Sequence, residues 1–141
     1  MGRAPRIFHG LSYLQYPLVL VAVFYAFQAS QVPVAERFGA YNSALVFMGL
    51  SVSMSTLQDT STTQNEVSRK VWSSPVAGKC FLLFLAAATA GFITLGLWGM
   101  YQARDHKVNQ VSFGLLVLGI GFIGLLKAAG EMFEHHRSDR P

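Results

Sequence analysis

The sequence contains few charged residues and a single cysteine, and each shortage excludes a class of protein. Asp, Glu, Lys and Arg together make up 13% of the 141 residues, whereas soluble domains carry about 25%. Disordered chains depend on abundant charged and polar residues, so the same shortage excludes them too. Cys80 stands alone, so it can form neither an intramolecular disulfide nor a cysteine-based zinc site.

Ionisable side chains are also missing from the middle of the long apolar stretches. All four histidines lie at or beyond the ends of these stretches: His9, His106, His135 and His136. Proton relays and bis-histidine haem sites need such groups deep in a membrane. No Walker, zincin, G-x-S-x-G or dinucleotide-binding motif is present either. We therefore expect no enzymatic activity, no catalytic residue, no metal site and no cofactor.

What remains is strongly apolar. Hydrophobic residues make up 52% of the chain, and the mean hydropathy is +0.37. A helix needs about 20 apolar residues to cross a bilayer, and four stretches qualify: residues 11–34, 38–57, 80–101 and 111–133. The second stretch is the most polar. The strictly apolar part of the fourth ends at Leu126, a little short of a full crossing, so we expect Lys127 to extend towards lipid headgroups.

The connections between these stretches predict how they are arranged. Residues 35–37 and 102–109 are short connections, so each joins two neighbouring antiparallel helices. Residues 58–79 form the longest connection, which is rich in Ser and Thr. The sequence therefore predicts an all-α integral membrane protein with a single transmembrane domain over residues 1–141. Its four transmembrane helices form two antiparallel hairpins.

The distribution of Lys and Arg predicts the orientation. With four crossings, both termini and the loop 58–79 share one side, which holds eight basic residues: Arg3, Arg6, Arg69, Lys70, Lys79, Lys127, Arg137 and Arg140. The other side holds the remaining three: Arg37, Arg104 and Lys107. Because cytoplasmic loops carry an excess of Lys and Arg, we predict that both termini and the loop are cytoplasmic. The expected location is a bacterial inner membrane, with a mitochondrial inner membrane as the alternative.

The apolar pattern also fits a three-crossing topology, in which the stretch 38–57 dips into the membrane and returns. The C-terminus would then lie on the opposite side. The stretch 11–34 begins like a signal peptide, but it is long for one and no small-x-small cleavage site follows, so we expect a retained helix.

The net charge of +4 would suit nucleic acid in a soluble protein. Here the basic residues flank apolar segments and face anionic headgroups, so we expect no nucleic-acid binding.

Small residues recur at helical spacing in the last two stretches. One face of the fourth stretch carries Gly114, Gly121, Gly124 and Ala128. The third stretch carries Ala87 and Gly91, four residues apart. Such faces let helices approach closely in lipid. We predict helix-packing or partner interfaces at these residues, with either another helix of the same chain or a second subunit as the neighbour.

Polar residues suggest further contacts. The second stretch carries a polar face of Ser51, Ser55 and Gln58, which either lines a polar pathway or hydrogen-bonds to helices. Candidate cytoplasmic contacts are Arg69, Lys70, Trp72, Lys127 and Glu131.

Two of these contact regions have a predicted local structure. Thr63 and Glu66 have capping-box spacing, which predicts a short amphipathic helix carrying Trp72 and ending before Pro75. Lys127 and Glu131, four residues apart, can pair. With the histidines that follow, these residues offer the groups of a metal or proton site, but we expect a charged helix end that emerges into water.

Three functions fit these features. The first is a small non-catalytic accessory or structural subunit of a larger membrane protein complex. The second is a homo-oligomeric channel or small carrier, and the third is a regulatory or lipid-binding membrane protein that acts through its cytoplasmic loop and tail. The expected partners are membrane lipids and other membrane-protein subunits or copies of the chain itself.

Overall fold

The computed structural model describes residues 3–57, 66–102 and 104–136, which are almost entirely helical. The helices are α1 (Arg3–Ser12), α2 (Gln15–Gln31), α3 (Val34–Ser55), α4 (Glu66–Ser73), α5 (Pro75–Gln102) and α6 (His106–His136). The described residues contain no β-strand, which confirms the all-helical class. Within the connection 58–79, the short helix predicted to carry Trp72 and to end before Pro75 is present as α4. Residues 75–79, expected in the same connection, belong to α5, which begins at Pro75 rather than at residue 80.

Capping residues explain where two of the long helices begin. Pro75 occupies the first position of α5, where the missing N–H leaves no helical hydrogen bond unmade. The Ser74 hydroxyl just before it accepts a hydrogen bond of 3.3 Å from the N–H of Ala77. At the start of α6, the Asp105 carboxylate accepts a hydrogen bond of 3.0 Å from the N–H of Lys107.

Three segments are long and apolar enough to cross a membrane: Gly10–Gln31, Pro75–Gln102 and His106–His136. The 28 residues of α5 extend about 42 Å at about 1.5 Å per residue, which exceeds the hydrocarbon core of about 30 Å. These segments are compatible with a multi-pass membrane protein. α3 has 22 residues but is not among them. Its first turns contain Glu36, Arg37 and Asn42, which lower its mean hydropathy.

The four long helices lie side by side in the order α2, α3, α6, α5. Between α2 and α3, the rings of Tyr25 and Phe47 stack with their centroids 5.6 Å apart. Between α5 and α6, Phe92 and Phe122 meet edge to face at 5.2 Å. The central pair, α3 and α6, comes from different halves of the chain. The result is a single layer of helices rather than a closed ring.

α2 and α3 run antiparallel across a tight turn. The Arg37 Nε donates a hydrogen bond of 3.1 Å to the carbonyl oxygen of Val32, which stabilises that turn. At the far end of the pair, the Ser51 hydroxyl donates to the carbonyl oxygen of Gln15 at 2.9 Å. This contact joins the last turns of α3 to the first turn of α2.

The short helix α4 packs across α5 and α6 at the same end of the layer as Ser51 and Gln15. Trp72 of α4 is only 6% exposed and forms a buried cluster with Leu85, Ala129 and Phe133. The Phe133 ring also lies against Gly78, so the end of α6 packs on the start of α5 and the two helices are antiparallel.

Candidate functional site

α3 and α6 meet along three glycines, Gly49, Gly114 and Gly121, which we call the glycine seam. A methyl group built on Gly121 would lie 2.5 Å from the carbonyl oxygen of Gly49. One built on Gly49 would lie 2.8 Å from the carbonyl oxygen of Val117. Side-chain carbons do not approach other atoms this closely, so the two backbones are in direct contact.

Residue numbers increase in the same direction along α3 and α6 where the two helices are in contact. A methyl group on Gly114 would lie 2.9 Å from the Asn42 Oδ1, near the start of α3. One on Gly124 would lie 3.2 Å from the side chain of Thr56, just beyond the end of α3. α3 and α6 are therefore parallel. This contact joins the α2–α3 pair to the α5–α6 pair.

The seam includes one residue that the sequence pattern did not single out. Gly114, Gly121 and Gly124 were predicted to form a packing face, and the structure brings all three against α3. Their neighbour on α3, Gly49, lies outside the predicted packing face. A signal was available, because Gly49 and Ser53 are small residues four positions apart, a spacing typical of close helix contacts.

A second set of small residues joins α5 to α6. A methyl group on Gly119 would lie 2.7 Å from the Ile93 side chain, and one on Gly96 would lie 2.8 Å from the Leu116 side chain. α6 therefore uses different glycines for its two neighbours, Gly121 towards α3 and Gly119 towards α5. Its position inside the layer explains why its small residues are so frequent.

The predicted pair on α5 lies elsewhere. Ala87 is exposed, and a methyl group built on Gly91 would meet no atom within 4 Å. The space beyond Gly91 is therefore not occupied by another described helix. Ala128, the last residue of the predicted α6 face, is half-buried and lines a pocket instead of the seam.

The polar face of α3 is directed into the layer. Ser51 is 6% exposed and donates to α2, as described above. The Ser55 hydroxyl donates to the carbonyl oxygen of Val52 in its own helix at 2.7 Å. Among the described residues, Asn42 Oδ1 is a buried polar atom without a hydrogen-bond partner. Gln58, also predicted to lie on this face, falls outside the described residues.

The candidate cytoplasmic contacts on α4 face in different directions. Trp72 points into the buried cluster and meets the Phe81 ring edge to face at 5.4 Å. Arg69 and Lys70 are exposed. α4 therefore has one apolar side on α5 and α6 and one basic side directed outwards. Thr63, predicted to cap this helix, lies outside the described residues.

The end of α6 carries a weak ion pair and two backbone carbonyls within hydrogen-bond distance of histidine rings. Lys127 Nζ and Glu131 Oε1 are 3.8 Å apart, with the side chains 79% and 46% exposed. His135 Nδ1 lies 2.7 Å from the Glu131 carbonyl oxygen, and His136 Nδ1 lies 2.9 Å from that of Met132. In the described part of the chain, no three His, Cys, Asp or Glu side chains are grouped as metal ligands require.

A partly open pocket of about 190 Å³ lies beside α4, and we call it the α4 pocket. All four of α3, α4, α5 and α6 contribute to its walls, which include Ser55, Thr56, Trp72, Phe81, Ala128 and Met132. The hydroxyls of Ser55 and Thr56 donate to carbonyl oxygens one turn earlier, both at 2.7 Å. Their protons are used within the protein, so the pocket is predominantly apolar.

Comparison with known proteins finds no match to this chain among protein-family models, curated proteins or solved structures.

Proposed function

We propose that the chain is a small, non-catalytic subunit of a larger membrane assembly, with four crossings and both termini in the cytoplasm. The observation that carries this proposal is the outward pair of small residues on α5, Ala87 and Gly91, in an open layer of helices. Within the described part of the chain, the contacts of this layer also leave large apolar faces uncovered. Leu20, Phe24 and Phe27 on α2 are each more than 60% exposed, and so are Leu83, Phe84 and Trp98 on α5. In a membrane, lipid or other apolar helices cover such faces.

The packing of α3 supports a fourth crossing despite its polar composition. α3 lies between α2 and α6, so it faces protein on two sides. Its hydroxyls donate within the protein: Ser43 to Gly39 at 3.1 Å, and Ser53 to Gly49 at 2.9 Å. Polar side chains are tolerated in a membrane when they are satisfied in this way. A helix that only dipped into the bilayer would not need to follow α6 from Asn42 to Thr56.

The outward pair on α5, Ala87 and Gly91, supports contact with another subunit. Small residues let a second helix approach closely, and no described helix of this chain occupies that position. A partner helix that packed there would make a close backbone contact of the same kind as the one between Gly49 and Gly121. Because membrane helices gain little from hydrophobicity when they associate, such close contacts contribute much of the binding.

The channel alternative finds little support in the geometry. Ser51 and Ser55, which would line a polar pathway, donate to backbone carbonyls. The experiment for this alternative is flux through reconstituted vesicles with the double variant Ser51→Ala and Ser55→Ala. Altered flux would favour a channel over a subunit.

Native mass spectrometry tests the subunit proposal. The chain is extracted from its own membrane in a mild detergent, and its mass is compared with that of its complexes. Different proteins at fixed stoichiometry are expected. A closed ring of identical chains would establish the channel instead, and a lone monomer would contradict both.

A matched pair of variants locates the interface. Gly91→Leu should reduce the recovery of partner subunits while the isolated chain keeps its unfolding temperature. The control is Gly39→Leu on α3, where an added methyl group also meets no atom within 4 Å. Equal recovery of partners with both variants would exclude the α5 face as the contact.

A further inference from the structure

We propose that the α4 pocket binds one acyl chain of an anionic phospholipid whose headgroup contacts Arg69 and Lys70. The proposal goes beyond the subunit function and does not depend on it. It concerns the isolated chain in a bilayer, whereas the subunit function concerns a contact with other proteins.

The walls of the pocket suit a hydrocarbon chain. Trp72, Phe81 and Met132 present apolar surface, and the nearby hydroxyls of Ser55 and Thr56 direct their protons to backbone carbonyls. A polar ligand would find few donors there, because buried polar groups need hydrogen-bond partners. The volume of about 190 Å³ exceeds that of an apolar cavity of about 150 Å³ that takes up benzene. There is room for a segment of an acyl chain.

The pocket also lies at the end of the layer where the proposed topology places the lipid headgroups. Its walls come from the end of α3, the beginning of α5, the last part of α6 and α4. α4 is a short helix with one apolar and one basic side, which is typical of helices at the membrane surface. A lipid with its acyl chain beside Trp72 would therefore place its phosphate near α4.

The charges on α4 favour an anionic headgroup. Arg69 precedes Trp72 by three residues, so the two side chains are neighbours on the helix surface. Arg69 and Lys70 are exposed and form no ion pair within the described part of the chain. Lys79, at the start of α5, is exposed as well. Basic residues beside a membrane surface attract anionic lipids, and an arginine can hold a phosphate through two hydrogen bonds.

The two tryptophans of the chain provide the test. Trp72 lines the pocket, whereas Trp98 is 63% exposed on the outside of α5. The variant Trp98→Phe leaves Trp72 as the sole tryptophan, and Trp72→Phe leaves Trp98. Each full-length variant is reconstituted into phosphatidylcholine vesicles that contain a small fraction of lipid with brominated acyl chains. The brominated lipid is either phosphatidylglycerol or phosphatidylcholine at the same mole fraction.

Bromine quenches tryptophan on contact, so the two lipids report selectivity. We expect Trp72 to be quenched more by brominated phosphatidylglycerol than by brominated phosphatidylcholine, and Trp98 to be quenched equally by both. Equal quenching of Trp72 by the two lipids would overturn the proposal. So would its complete protection from both, which would show that protein fills the pocket.

Two further variants separate the pocket from the headgroup contact. Ala128→Phe fills the pocket and should abolish the preference at Trp72, while Ala87→Phe on the outer face of α5 should leave it unchanged. Arg69→Gln with Lys70→Gln should also abolish the preference, and it leaves the pocket walls intact. Its control is Arg104→Gln with Lys107→Gln, two exposed residues at the other end of the layer. A preference that survives the Arg69 and Lys70 changes would contradict the assignment of the headgroup.

Discussion

The carbonyl oxygen of Gly49 lies 2.5 Å from the point where a side chain on Gly121 would begin. The contact joins α3 to α6, which are far apart in the sequence but parallel and adjacent in the layer. Because backbone atoms occupy the space on both sides, neither residue can be enlarged unless the two helices separate. The glycine seam is therefore a tightly constrained contact between the two halves of the chain.

We expect Gly121→Ala to destabilise the protein by about 1–3 kcal/mol, the usual cost of overpacking a tight contact. The added methyl group would force α3 away from α6 along the seam. The measurement is the free energy of unfolding by SDS titration in mixed micelles, followed by circular dichroism. The control, Gly91→Ala, should change that free energy by less than about 0.5 kcal/mol. Equal effects of the two variants would contradict the seam.

Two serines on α3 should differ in importance because their hydrogen bonds differ. Ser51 bonds to α2, whereas Ser55 bonds to its own helix. We expect Ser51→Ala to lower the free energy of unfolding by about 0.6–2 kcal/mol, the range for interhelical hydrogen bonds in membranes. Ser55→Ala should cost less, since no helix contact is lost. If Ser55→Ala costs as much, the bond to Gln15 does not stabilise the pair.

Cysteine labelling distinguishes four crossings from three. The background variant Cys80→Ser removes the single cysteine, and one exposed residue at a time is then replaced: Ala35→Cys, Lys70→Cys or Asp105→Cys. With four crossings, positions 35 and 105 lie on one side of the membrane and position 70 lies on the other. An impermeant maleimide applied from one side then labels either positions 35 and 105 or position 70. With three crossings, positions 35 and 70 share a side and position 105 differs. The pattern of labelling therefore decides the topology.

The ion pair between Lys127 and Glu131 should contribute little. Its atoms are 3.8 Å apart and both side chains are well exposed, so solvent screens the attraction. A double-mutant cycle with Lys127→Met and Glu131→Gln should give a coupling energy of no more than about 0.5 kcal/mol. A coupling above about 1.5 kcal/mol would show that this end of α6 is more than a solvated helix terminus.

Much of the helical content could be predicted from the sequence, because long apolar runs and the prolines that begin helices are local signals. Pro75 is an example, since it both ends the α4 segment and begins α5. α3 was harder to assign. Its hydropathy is lowered by residues such as Asn42 and Ser51, which face neighbouring helices, and only the tertiary arrangement reveals that they are enclosed.

The candidate site was less predictable for a related reason. Ala87 and Gly91 have the same four-residue spacing as other small pairs, but spacing shows only that two residues share a face. It does not show what lies opposite that face. The α5 pair turned outwards, whereas Gly121 met Gly49 from a distant part of the chain. The α4 pocket needed four helices to form, so no single segment carried a signal for it.

Because α3 packs in parallel with α6, the last long helix, its packing cannot be completed until the rest of the chain has been synthesised. During synthesis α2 and α3 emerge first, and α3 has only one of its two neighbours until α6 has been made. In the proposed four-crossing topology, the polar side chains of α3 and its Gly49 would face lipid or the insertion machinery during that interval. Chains that stop before α6 should therefore be recognised by membrane proteases, and release of the protein from quality control should wait for the last long helix to dock.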